Sequence, residues 1–133
     1  MNMLTGYIQD DKPLIPIDIG LGQNIQRLPA LVDTGFTGEL KIPENIARDA
    51  NASITEVKNL YFANGEAIPH GVGRVHVDIE RIQKEVNVFI GNGPVLIGVK
   101  LLRNFGYTLK MDFIGNVFYL ERAEDRDPFH TEE

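Results

Sequence analysis

Eight residues, numbered 31–38 and reading LVDTGFTG, constrain this chain more than any other segment. An apolar run leads directly into Asp33, and a hydroxyl residue, Thr34, and a glycine, Gly35, follow at once. A short apolar run bounded by glycine predicts a buried strand that ends in a tight loop. A bare carboxylate is costly to bury at such a place. Asp33 is therefore either hydrogen-bonded in an Asx-type turn, which the tripeptide alone favours, or retained for chemistry.

The composition is typical of a globular domain. The chain has 133 residues, enough for one domain with a real core, and 43% of them are hydrophobic. No apolar run is long enough to span a bilayer, and the N-terminus lacks the pattern of a signal peptide, so we expect a cytoplasmic protein without membrane contact. The sequence contains no cysteine, which excludes disulfides, thiolate metal sites and a cysteine nucleophile.

The negative charge is concentrated at the C-terminus. The net charge is −6, and residues 121–133 contribute −4 of it through six acidic and two basic residues. Because nucleic-acid binding requires a basic face, we expect no nucleic-acid partner. We expect residues 1–122 to form the domain and residues 123–133 to be a disordered acidic tail.

The rest of the chain reads as short strands separated by turns. Residues 14–21 alternate apolar and polar, which predicts a half-buried strand. The apolar face of that strand carries Ile15, Ile17, Ile19 and Leu21. An Asn-Gly pair at residues 64–65 predicts a hairpin between two long strands. The spacing of apolar residues predicts a helix over residues 99–105, with Gly106 as its stop. In total we expect nine or ten strands and one or two short helices, arranged as a sandwich or barrel.

Four features occur in a fixed order along the sequence. A strand pair delivers residues 33–35 (DTG), a hairpin carries Asn-Gly at 64–65, the run LIG follows at 96–98, and a leucine-containing helix precedes the last strands. In this order they resemble the retropepsin-like, or retroviral-type, aspartic proteases, especially their small bacterial and archaeal cytoplasmic members. The resemblance extends over residues 14–120. It implies a mainly β fold: a closed β-barrel or sandwich half-lobe with a flap hairpin and one short C-terminal helix.

The resemblance also implies roles for individual residues. Asp33 would be the catalytic carboxylate, Thr34 would brace the active-site loop through its hydroxyl, and Gly35 would let the backbone approach the substrate. The strand packed behind this loop would consist of Leu96, Ile97 and Gly98.

The same resemblance places the substrate beneath a flap formed by residues 62–73. The implied substrate-binding residues are Phe36, Phe62, Ala63, Asn64 and Gly65. Many retroviral members have a small residue where this chain has Phe36, which implies a different subsite shape. Tyr61 and Phe62 would either line the cleft or pack beneath the hairpin.

Aspartic proteolysis needs two carboxylates around one water molecule. The chain contains one Asp-Thr-Gly, and neither residues 18–20 (DIG) nor Asp112 repeats it, because no Thr or Ser separates the acid from a glycine. The second carboxylate would therefore come from Asp33 of a second copy, in a two-fold symmetric homodimer. By analogy with the relatives, residues 117–120 would form an interface strand.

Three hypotheses of different classes follow. The first is a homodimeric aspartic endopeptidase that hydrolyses peptide bonds in a peptide or flexible protein segment, with water activated by the Asp33 pair. The second is a non-catalytic peptide-binding module on the same fold. The third is an unrelated β-scaffold in which Asp33 only caps a turn.

Neither a cofactor nor a metal ion is expected, since water is the nucleophile of the leading hypothesis. His70, His76 and Asp78 could suggest a metal site, but a third ligand on the same face is lacking. We therefore interpret these side chains as exposed polar residues on the outer face of a strand.

Overall fold

The computed structural model describes residues 2–122, so the predicted tail, residues 123–133, lies outside the described residues and the domain boundary stays a prediction. The described part contains ten strands: β1 (Asn2–Gln9), β2 (Lys12–Ile19), β3 (Gln26–Val32), β4 (Leu40–Ile42), β5 (Ser53–Tyr61), β6 (Ala67–Ile79), β7 (Ile82–Ile90), β8 (Leu96–Ile97), β9 (Thr108–Asp112) and β10 (Val117–Arg122). It also contains a short 3₁₀ helix (Gly22–Asn24) and two α-helices, α1 (Glu44–Asp49) and α2 (Val99–Phe105). No helix within residues 2–122 has the length and apolar character needed to cross a membrane.

The prediction of a mainly β fold is confirmed, and so is the helix after Gly98. Helix α2 ends at Gly106, whose φ of 74° is the left-handed conformation that glycine adopts without steric cost. The N–H of Gly106 donates to backbone carbonyls of the last helical turn. A second short helix, α1, follows Pro43, which agrees with the expectation of one or two helices.

The strands form one sheet that closes on itself. The order of hydrogen-bonded neighbours is β5-β6-β7-β4-β8-β3-β2-β1-β10-β9, and an additional pairing joins β6 to β2. This pairing, Asp18 with Asp78 and Ile19 with Val77, closes a ring of six strands. Every strand of the ring is therefore paired on both sides, which confirms the predicted barrel, while the sheet continues beyond the ring to β5 and to β9.

The apolar face of β2 fills the barrel. Ile15, Ile17 and Ile19 are all buried, as their alternation predicts. The prediction for Leu21 is wrong: this side chain is 42% exposed. The reason is local, because β2 ends at Ile19 and Gly20, with φ at 114°, turns the chain out of the strand before Leu21.

The C-terminal strand is enclosed within the sheet. Strand β10 pairs with β1 on one side and with β9 on the other. Both hydrogen-bonding edges of residues 117–120 are therefore occupied within the chain, and the interface strand stays a prediction. Within residues 2–122, the sheet instead ends at β5 and at β9.

Candidate active site

Asp33 lies where two neighbouring strands hold its backbone. Strand β3 runs parallel to β8, with Val32 opposite Ile97, and the N–H of Asp33 donates to the carbonyl of Ile97 at 2.9 Å. A strand paired on both sides leaves little freedom to the residue at its end. The barrel therefore fixes where the chain leaves β3 and enters the loop.

The loop then orients the carboxylate. The Asp33 Oδ1 accepts a hydrogen bond from the N–H of Gly35 at 2.9 Å, and the N–H of Phe36 donates to the carbonyl of Asp33 at 3.1 Å. This is the Asx-type turn that the tripeptide suggested. Among the described residues, Oδ2 makes no hydrogen bond. Asp33 is half-buried, whereas Thr34 and Gly35 are exposed.

Gly98 packs directly against the back of this loop. The N–H of Gly98 donates to the carbonyl of Glu39 at 3.0 Å, and the N–H of Val99 donates to that of Phe36 at 3.2 Å. A Cβ atom added at Gly98 would lie 2.1 Å from the carbonyl oxygen of Gly38, so only glycine allows this approach. Strand β8 and Gly98 thus pack against the loop that follows Asp33, and their role in supporting an active site stays a prediction.

A hairpin formed by β5 and β6 has its turn at residues 62–66. The N–H of Phe62 donates to the carbonyl of Glu66, the N–H of Gly65 donates to that of Phe62, and both distances are 2.9 Å. Gly65 has φ at 85°, and the Asn64 Oδ1 accepts the N–H of Glu66 at 2.9 Å. The predicted Asn-Gly hairpin is confirmed. Only Leu60 among the residues of β5 is not exposed, so this strand lies on the outside of the barrel.

A cavity of about 320 Å³ lies between this hairpin and the loop, and we call it the Asp33 cavity. Its lining residues are Asp33, Gly35, Phe36, Thr37, Lys41, Leu60, Tyr61, Phe62, Ala63 and Leu96. The cavity brings six predicted site residues together: Asp33, Gly35, Phe36, Phe62, Ala63 and Leu96. It does not include five others: Thr34, Asn64, Gly65, Ile97 and Gly98. Its volume falls in the range typical of ligand pockets.

Aromatic rings connect the loop to the hairpin. Phe36 is only 6% exposed and packs edge-on against Phe89, with ring centroids 6.0 Å apart. His70 lies between Phe89 and Phe62, at 6.4 and 6.2 Å from their rings. Phe36 is therefore a wall of the cavity, whereas Tyr61 and Phe62 line it while remaining exposed.

The interpretation of His70, His76 and Asp78 as exposed residues is wrong, because His76 and Asp78 are half-buried and His70 is buried. His70 is 5% exposed, and its Nδ1 lies 2.9 Å from the carbonyl oxygen of Ile68, so it is a packed residue and not an exposed one. Its ring fits against Gly91, where an added Cβ would approach it to 2.2 Å. Within residues 2–122, no three His, Asp or Glu side chains are grouped so that they could bind a metal ion.

Sequence reasoning missed three residues of the cavity, Thr37, Leu60 and Lys41, and of these only Lys41 carries a charge. It lies in β4, between Phe89 of β7 and Leu96 of β8, and it is only 4% exposed. Its Nζ donates to the carbonyl of Asn92. Burial lowers the pKa of Lys41 below its ordinary value, because desolvation disfavours the charged form. The available signal was a lysine between two apolar residues, Leu40 and Ile42, in a short strand after the motif.

The closed six-strand ring, the short strand β8 beside the Asp-Thr-Gly loop and the outer hairpin define the retropepsin-like fold. Solved structures agree. A retropepsin-like aspartic protease from Rickettsia conorii has a TM-score of 0.64 and 18% identity, over 91% of this chain and 90% of that one. The EIAV protease, solved with the inhibitor HBY-793, has a TM-score of 0.61 and 14% identity, over 79% and 98%. No protein-family model and no curated protein matches the sequence.

Proposed function

We propose that this chain is an aspartic endopeptidase that acts as a homodimer, with Asp33 of each protomer as the catalytic carboxylate. The observation that carries the proposal is the position of Asp33: its Oδ1 is held by the Gly35 N–H, and its side chain lines a cavity beneath a hairpin. The retropepsin-like fold supports the same assignment. A cytoplasmic location stays a prediction from the sequence.

The chemistry requires two carboxylates with different protonation states. One carboxylate, as the base, takes a proton from water, and the resulting hydroxide attacks the carbonyl carbon of the scissile bond. The other, protonated, donates to the carbonyl oxygen, and a proton then passes to the leaving amine nitrogen as the C–N bond breaks. Two ionised carboxylates about 3 Å apart would repel by roughly 5 kcal/mol at an effective dielectric near 20, so the pair shares one proton.

Residues 2–122 of a single chain provide no second carboxylate at this cavity. Asp33 is the only acidic residue among the described residues that line the cavity. The exposed Thr34 and Gly35 leave the loop accessible to a second copy. A two-fold axis beside this loop would bring the two Asp33 side chains together.

The register of the sheet suggests where the copies would meet. A row of paired residues crosses five strands from β3 to β9: Leu31, Leu14, Tyr7, Val117 and Asp112. The β9–β10 turn therefore lies at the same end of the sheet as Asp33. This turn exposes two large apolar side chains, Phe113 at 71% and Ile114 at 100%. We propose that the second copy covers Phe113 and Ile114, since exposed apolar clusters commonly mark interfaces.

The substrate would be a peptide or a flexible protein segment in an extended conformation. The β5–β6 hairpin would act as a flap over it, and main-chain hydrogen bonds would hold it as an additional strand. Phe62 and Ala63 of the hairpin turn and Phe36 of the loop would contact its side chains.

Replacing Asp33 by Asn tests the proposal. Asn retains the acceptor that the Gly35 N–H needs but cannot act as a base, so we expect peptide cleavage to fall by about 10³-fold or more while the fold persists. Cleavage of a diverse peptide mixture is read by mass spectrometry from acidic to neutral pH. Asp49→Asn, an exposed carboxylate outside the cavity, is the matched control and should cleave like the wild type.

The outcomes separate the hypotheses. Cleavage that persists in Asp33→Asn would contradict the proposal. Peptide binding by a wild type that does not cleave, tested at protein concentrations where sedimentation shows a dimer, would favour the non-catalytic binding module.

A further inference from the structure

Lys41 is a buried cation in the wall of the Asp33 cavity. Its strand, β4, is paired with β7 and β8, and the side chain lines the cavity beside Leu96. A surface lysine extends its ammonium group into water, whereas Lys41 is 4% exposed. The ammonium group of Lys41 is therefore largely removed from bulk water.

The part of the chain that the structure describes supplies only some of the hydrogen-bond acceptors that this ammonium group can use. An ammonium group has three N–H donors, and the Lys41 Nζ donates to the carbonyl of Asn92. No carboxylate among the described residues lies within 4 Å of it. A buried cation that lacks an anion is destabilising, and the lowered pKa of Lys41 reflects that desolvation. Ionisable groups with shifted pKa values are found most often at functional sites.

The remaining wall of the cavity is mostly uncharged. Lys41 is the only cationic residue among the described residues that line it, and Leu60, Phe62 and Leu96 provide apolar surface. In such surroundings water is partly excluded, so an ion pair formed with a bound ligand is stronger than one formed at the surface. The ligand group that this arrangement fits is a carboxylate.

We propose that Lys41 is a specificity-determining residue that binds a carboxylate of the substrate, so that the enzyme prefers peptides with an acidic side chain near the scissile bond. The inference rests on the proposed function, because it takes the Asp33 cavity as the substrate cleft. The Asp33 pair, which holds one negative charge, would bind the peptide bond, and Lys41 would bind the carboxylate at a neighbouring position.

Matched peptides test this preference. Pairs that differ only by Glu or Gln at one position are prepared for each position on both sides of the scissile bond. We expect one position at which the wild type has a kcat/KM for the Glu peptide roughly tenfold or more above that for the Gln peptide. The ratio should fall to about 1 in Lys41→Met, which has similar length without charge. Lys100→Met, an exposed lysine outside this cavity, should keep the wild-type ratio.

Two further arms make the test decisive. Peptides with a free or an amidated C-terminus determine whether the carboxylate comes from a side chain or from the chain end; a preference limited to the free C-terminus would overturn the proposal for side chains. If Lys41→Met does not fold, Lys41→Gln replaces it. A Glu-to-Gln ratio of about 1 at every position in the wild type would overturn the inference, as would a Lys41→Met variant that shifts the pH profile without changing the ratio.

Binding measurements separate this inference from the proposed catalysis. Asp33→Asn is titrated calorimetrically with the same Glu and Gln peptides. A Glu preference in binding that is lost when Lys41→Met is added supports the inference even if the wild type cleaves nothing. Equal cleavage of the Glu and Gln peptides by the wild type would agree with the proposed protease activity but contradict the proposed specificity. Failure of both peptides to bind Asp33→Asn would overturn the inference.

Discussion

Gly98→Ala should damage both the stability and the activity of this protein. Gly98 has φ at −98° and ψ at 176°, a conformation that alanine adopts without strain, so the backbone itself is not the obstacle. The obstacle is contact: the new Cβ would lie 2.1 Å from the carbonyl oxygen of Gly38 and 2.6 Å from that of Phe36. Both oxygens belong to the loop that follows Asp33, so strand β8 and the loop must separate.

The size of the effect follows from these contacts. Inserting a methyl group into a tightly packed site costs about 1–3 kcal/mol. Separation would also weaken the Gly98 N–H bond to Glu39 at 3.0 Å or the Val99 N–H bond to Phe36 at 3.2 Å, which adds about 1 kcal/mol. We therefore expect a loss of about 2–4 kcal/mol in the free energy of unfolding, which corresponds to roughly 10 °C in Tm for a chain of this size. Moving the loop by about 1 Å should also lower kcat/KM by about 10²-fold.

Urea denaturation at one fixed protein concentration measures the loss in the free energy of unfolding, because the proposed dimerisation would make stability concentration-dependent. Gly71→Ala is the matched control. An added Cβ at Gly71 meets its nearest neighbours, in Ile54 and Ile90, at 3.7 Å, which is ordinary contact. Both substitutions lower the entropy of the unfolded chain to the same extent. The difference between the two variants in the free energy of unfolding therefore reports the contact at Gly98. Equal stability of the two variants would refute the reasoning.

Two more predictions concern Lys41 and the proposed interface. Because burial lowers the pKa of Lys41, the unfolded chain binds this proton more tightly, and the free energy of unfolding should rise with pH towards 10.5. Lys41→Met should therefore be more stable than the wild type near pH 7. The difference in the free energy of unfolding between the two proteins, measured by urea titration, should decrease as the pH rises. A difference that stays constant with pH would contradict this prediction. Ile114→Lys, at a fully exposed position, should weaken the dimer in sedimentation experiments and reduce cleavage in dilute solution, with activity recovering at high protein concentration. Normal dimerisation of that variant would place the interface elsewhere.

Local patterns predicted the elements of the fold that depend on neighbours in sequence. The alternation at Ile15, Ile17 and Ile19, the Asn-Gly turn at 64–65 and the stop at Gly106 each have a local physical cause, and all three are confirmed. The same alternation wrongly predicted that Leu21 is buried. The alternation continues to Leu21, but the turn at Gly20 ends the strand first.

Features that depend on distant partners could not be predicted in this way. Strand β4 has three residues, too few to show a period, and all three are buried because β7 and β8 pair with it on both sides. The burial of Lys41 follows from those pairings and not from its neighbours in sequence. His70 is buried for a similar reason, since Phe62 and Phe89 reach it from different elements. The enclosure of β10 between β1 and β9 is likewise a property of the whole sheet.

The Asx turn at Asp33 and a catalytic role for the same carboxylate are compatible, because they use different oxygens. Oδ1 accepts the Gly35 N–H at 2.9 Å, which fixes the orientation of the side chain before any substrate arrives. Oδ2 is then available for water or for the second carboxylate, and a group held in advance needs no reorganisation during the reaction. An alanine at this position would remove the turn and the proposed base together. Asparagine keeps the oxygen that closes the turn and removes only the proposed base, so Asp33→Asn separates the structural contribution of Asp33 from its proposed chemistry.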